Sequence, residues 1–144
     1  MNTFLLPYRF KWIGTFLVLA GSVGLICYLW FNFILMLPVF AILSSFLEMK
    51  YFTIITTNVA DELIMISLLT GFFFIAWSKE KTETEGLSRI RSIALSKAVL
   101  SNTVFLLFSI LFIYGNGFVA VIFLNLISPF IFYLGFFLYL KRNL

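Results

Sequence analysis

Residues 98–140 read AVLSNTVFLLFSILFIYGNGFVAVIFLNLISPFIFYLGFFLYL, and no charged side chain interrupts them. A bilayer's hydrocarbon core takes roughly 20 apolar residues to cross. The stretch is therefore long enough for two crossings, and Gly115-Asn116-Gly117 supplies the turn between them. Read this way, the third span lies at about 98–114 and the fourth at about 118–140.

Working toward the N-terminus, 12–47 is a second uncharged run, too long at about 1.5 Å per residue for one crossing of a core about 30 Å thick. The first span is placed at 12–33, with Tyr8 and Trp12 at one interface and Tyr28 and Trp30 at the other. A further span follows at 59–77. Between them, 34–57 is an apolar outer segment that carries Pro38, Ser44, Ser45, Glu48 and Lys50, and an interfacial amphipathic helix or a packed cap would suit it.

The expected fold class is an all-α integral membrane protein, a single domain over 1–144 whose four transmembrane helices form an antiparallel bundle. Composition agrees: the chain is 62% hydrophobic, 20% aromatic and only 11% charged, with a mean hydropathy of +1.10.

The net charge of +4 is not a nucleic-acid signature, because the basic residues flank the apolar runs. They stand at Arg9/Lys11, at Lys79/Lys81/Arg89/Arg91/Lys97 and at Lys141/Arg142, leaving Lys50 alone on the other side. Cytoplasmic loops carry such an excess, so both ends of the chain and the 78–97 loop are placed inside. A five-span alternative that lets 33–47 cross back distributes these charges less well. A cleaved leader is the other competitor, but Ile26 precedes Cys27 where lipoprotein processing wants a small residue. An uncleaved signal-anchor helix is the expectation, in a bacterial cytoplasmic (inner) membrane.

Several chemistries are disfavoured. Histidine is absent, removing the usual general base and the commonest metal ligand, and a lone Cys27 allows no intramolecular disulfide. Asp61 is the only aspartate, which excludes a paired-aspartate protease. No phosphate-cradling glycine loop, metal spacing or nucleophile elbow is present. No cofactor and no catalytic residue is expected.

The candidate functional polar residues are Asp61, Glu62 and Asn125. Asp61 and Glu62 stand where the second span enters the membrane, where acids are costly and could take a proton or a cation. They also suit the first turn of a helix capped by Asn58, which is the plainer explanation, and adjacent residues point about 100° apart. Asn125 lies four residues before Pro129, whose ring denies the Asn125 carbonyl its usual donor. The pair could line a polar spot near mid-membrane, or Asn102 and nearby hydroxyls could simply satisfy these groups across the helices. Ala20/Gly24 and Ser67/Gly71 are small pairs that suit close internal helix packing.

The 78–97 loop, SKEKTETEGLSRIRSIALSK, is expected to form a short cytoplasmic helix running into the third span, with Thr82 and Glu85 as a capping box. Arg89, Arg91 and Ser92 are its candidate docking residues for a cytoplasmic partner, against the plainer role of enforcing topology. Anionic lipid is the weaker docking idea, because Glu80, Glu83 and Glu85 dilute the positive charge.

With WSKEKTETEGLSRIRSIAL between DELIMISLLTG and FIYGNGF, residues 53–140 resemble a group of small bacterial four-span membrane proteins of unassigned function. The resemblance implies an inner-membrane protein and conceivable partnership with a helix-turn-helix regulator; it transfers no functional residue. The functional expectation is a non-enzymatic membrane subunit that binds, regulates or scaffolds a membrane or cytoplasmic protein partner, or forms a homo-oligomer. The alternative is a small ion or solute transporter component using Asp61 and Glu62. A lipid-modifying enzyme with a lone carboxylate ranks last.

Overall fold

The computed structural model describes residues 5–44, 49–82 and 85–142. In chain order the elements are α1 (Arg9–Phe31), β1 (Met36–Ser44), β2 (Lys50–Asn58), α2 (Ala60–Trp77), α3 (Glu85–Phe112) and α4 (Asn116–Arg142). All four helices are long and apolar enough to cross a membrane. They lie close to the four expected spans. α1 ends on Asn32 in the left-handed conformation, a common helix stop. Gly115, at φ +68°, makes the turn between α3 and α4.

The helix expected in the 78–97 loop and the expected third span are one continuous helix, α3, of 28 residues. Glu83, Thr84 and the Glu85 side chain lie outside the described residues, and the expected Thr82–Glu85 capping box lies outside them too.

The outer segment departs from the helical expectation. β1 and β2 form an antiparallel two-stranded sheet, with Met36 opposite Asn58, Phe40 opposite Ile54 and Ser44 opposite Lys50. The local reason is residue type: Thr53, Ile54, Ile55, Thr56 and Thr57 are five β-branched residues in a row, which lose side-chain freedom in a helix and pack well on a strand. Pro38 is tolerated because both strands of a two-stranded sheet are edges. Among the described residues the fold is thus helical apart from this hairpin. Ser45 and Glu48 lie outside the described residues.

Helix packing follows the order α1–α2–α4–α3, an open row in which each helix leans mainly on its neighbour. α1 and α2 approach most closely through glycine. A methyl group built on Gly14 would stand 2.7 Å from the Gly71 carbonyl oxygen, and one on Gly21 would stand 2.8 Å from Leu68. Gly24 faces Ile64, and the Ser67 hydroxyl donates to the Leu17 carbonyl at 2.9 Å. The small pairs therefore serve internal packing, as expected, except that Ala20 is exposed and Gly14 and Gly21 take the closer contacts. α4 meets α2 through Ile127, packed with Ile64 and Leu68, and through the Phe130 and Phe73 rings at 6.4 Å.

Two apolar clusters hold the row together. One joins Ile64, Leu68 and Ile127, with Val18 and Tyr28 packed against them. The larger lies near the basic end, where Ala76 of α2, Leu87, Ile90, Ala94 and Ala98 of α3, and Tyr133 and Phe137 of α4 are buried together. The row is therefore gathered tightly at that end.

Candidate functional site

Among the described residues these elements set three polar groupings: one at the hairpin end, one within α3 and α4, and one at the basic end.

At the outer end, the Asn58 side-chain oxygen accepts from the Leu35 amide at 2.9 Å and from the Ala60 amide at 3.2 Å, while the Val59 amide donates to the Leu35 carbonyl at 3.0 Å. One amide side chain thus closes the base of the hairpin and starts α2. Asp61 and Glu62 follow in the first turn of α2, both exposed. There they favour the positive end of the helix dipole.

The hairpin above this base is exposed along one face. Met36, Phe40 and Ile42 of β1 and Phe52 and Ile54 of β2 share that face, with Phe40 65% and Ile54 72% exposed. Phe40 and Phe52 rings lie 6.4 Å apart across it. Phe52 adopts φ +49°, where the Ile42–Phe52 step of the ladder is interrupted. A bulky residue in the left-handed region costs about 1–2 kcal/mol.

Between α3 and α4, three side chains converge. The Ser128 hydroxyl donates to the Asn102 side-chain oxygen at 2.5 Å, and the Asn125 amide nitrogen lies 3.2 Å from the same oxygen and 3.5 Å from the Ser128 hydroxyl. α4 runs unbroken through Pro129. Asn125 therefore sits in a cross-helix amide cluster, with Asn102 as the partner named from sequence and Ser128 as the nearby hydroxyl that joins it. Ser128 lies on the same face of α4 as Asn125, and that spacing was the available signal.

At the basic end, Glu80 receives Lys11 on one carboxylate oxygen and Lys141 on the other, the latter at 2.9 Å. Burial pushes the Glu80 carboxyl up, but the hydrogen bonds and positive charges of Lys11 and Lys141 outweigh it and hold the group below its ordinary value. Beside it the Leu6 amide donates to the Trp77 carbonyl at 3.0 Å, and the Lys79 amide donates to the Leu6 carbonyl at 2.9 Å. The segment before α1 is thereby laced to the end of α2.

Arg91 turns inward here. Its guanidinium donates to the Ser78 carbonyl at 3.2 Å and reaches the Ala76 carbonyl at 3.5 Å, and it lies 5.1 Å over the Phe137 ring. With 9% of its surface exposed, Arg91 joins α2, α3 and α4 and does not present itself for docking. Arg89 and Ser92 are exposed, so the docking candidates on α3 reduce to these two. From sequence alone Glu80 reads only as a charge that dilutes the basic loop. Glu80 is the acid of this loop that stands directly between two lysines, Lys79 and Lys81, just past a span end.

Comparisons with family models, with curated proteins and with solved structures give no match.

Proposed function

We propose that this chain is a non-enzymatic, multi-pass membrane subunit that binds or scaffolds another protein, residing in a bacterial cytoplasmic membrane with both ends and the 78–97 loop in the cytosol. The observation that carries the reading is the outer hairpin. Its apolar face of Met36, Phe40, Ile42, Phe52 and Ile54 is exposed, and both strand edges are unpaired among the described residues. Isolated two-stranded sheets are marginal in water, and contiguous exposed apolar surface usually marks a contact site. The charge distribution supports the orientation: nine of the 10 Lys and Arg stand on the side opposite the hairpin.

Affinity capture of the detergent-solubilised protein, compared with Phe40→Ser/Ile54→Ser, tests the reading. A stoichiometric partner lost in the double variant is expected; recovery of the chain without any partner overturns it. A second reading, an ion or solute transporter component, draws on the two exposed acids, Asp61 and Glu62, in the first turn of α2. Flux into proteoliposomes that vanishes in Asp61→Asn or Glu62→Gln would replace the subunit reading with that one.

A further inference from the structure

The Asn102–Asn125–Ser128 cluster lies deep in the apolar part of the structure. Asn102 stands about 15 Å below the Phe112 end of α3, and Asn125 about 14 Å below the Asn116 end of α4. Those depths are close to the middle of a hydrocarbon core about 30 Å thick.

Within the chain the cluster is only half satisfied. Asn125 Nδ2 and the Ser128 hydroxyl both point at the Asn102 side-chain oxygen. The Asn102 side-chain NH2 and the Asn125 side-chain oxygen have no hydrogen-bond partner among the described residues. The Asn125 main-chain carbonyl also lacks its ordinary donor, because residue 129 is proline. Neither group is fully buried, and acyl chains offer neither donors nor acceptors.

The helix row leaves this seam open. α4 turns Ile127 and Phe130 toward α2 and turns Ser128 and Phe132 toward α3, so α2 does not cover the amides. On α3, Val99 precedes Asn102 by one helical turn and is 56% exposed. The surface beside the amides is therefore presented outward.

We propose that this seam is a self-association surface, completed by a second copy of the chain. The unmet groups are a donor on α3 and an acceptor on α4, side by side. A two-fold axis lets Asn102 of each copy donate to Asn125 of the other, satisfying both sets at once, as isologous interfaces do. Interhelical amide bonds contribute modestly in lipid, and two symmetric pairs act together with close packing of the flanking apolar residues. The surface is separate from the outer hairpin, so self-association and partner capture succeed or fail independently.

Subunit counting by single-molecule photobleaching, on purified protein in liposomes at decreasing protein-to-lipid ratio, provides the test. Dimers are expected for the parent, with association weakened about tenfold in Asn102→Leu and in Asn125→Leu. Oxidative crosslinking in a Cys27→Ser background supplies a readout that leaves the amides intact. Val99→Cys should crosslink between copies, and Leu19→Cys on α1 should not. A monomeric parent at every ratio, dimers that persist in both Asn variants, or crosslinking no stronger at residue 99 than at residue 19 would each overturn the proposal.

Discussion

Gly14 and Gly71 meet backbone to backbone where α1 crosses α2: a methyl group on either would stand under 3 Å from the other's carbonyl oxygen. No flexible side chain can move aside to make room there. Gly71→Val should therefore push the helices apart, at a cost of about 1–3 kcal/mol. Gly135, with open space around its would-be methyl, is the matched control. Thermal unfolding in detergent should show a lowered Tm for Gly71→Val and an unchanged one for Gly135→Val; equal Tm values for both variants would contradict the close crossing.

Arg91 should behave as a structural residue. Removing its guanidinium in Arg91→Ala leaves the carbonyls of Ala76 and Ser78 without that donor and uncovers Phe137. Charge-assisted hydrogen bonds and a desolvated cation over an aromatic ring together suggest a loss of about 2 kcal/mol. Lys cannot reproduce the planar fork, so Arg91→Lys should recover little of it. The exposed Arg89, replaced by Ala, should leave Tm within error, and a comparable drop there would argue against this assignment.

Reading the sequence located the helices because hydrophobic length and charge placement dominate a membrane chain. It located the outer end of α2 for the same reason, and Asn58 was recognised as a helix-starting side chain. The hairpin was missed because uncharged length was weighed before residue type: the run Thr53 to Thr57 carries its strand preference in branching, not in hydropathy. Charge count does not show which of two basic residues, Arg89 or Arg91, faces a neighbouring helix; only the structure places Arg91 inward and Arg89 outward. Glu80 acquires its role only when Lys11 and Lys141, far apart in sequence, arrive beside it.

Asn58 joins two elements, so its loss should be felt in both. Asn58→Ala removes the acceptor for the Leu35 and Ala60 amides, costing about 1 kcal/mol at a helix start. Hydrogen exchange followed by mass spectrometry should show faster exchange at the base of the hairpin and in the first turn of α2. Exchange in α3 should stay unchanged. Protection that survives at Leu35 would mean the hairpin base closes without Asn58.

Glu80 gives the protein a predictable acid response. Its carboxyl is held below the ordinary value of 4.5 in the folded chain by Lys11 and Lys141, so the folded state favours the ionised form more than the unfolded state does. The stabilisation is therefore present in full above the unfolded value and is lost as pH falls through the lower folded value. Measured against pH, the parent's Tm should exceed that of Glu80→Gln at neutral pH, and the gap should close below about pH 4.5. Because the Lys141 side chain is 40% exposed, added salt should shrink the neutral-pH gap as well. A gap that widens on acidification would have the wrong sign for a carboxylate held ionised between two lysines, and would rule out this tie between the start of α1 and the end of α4.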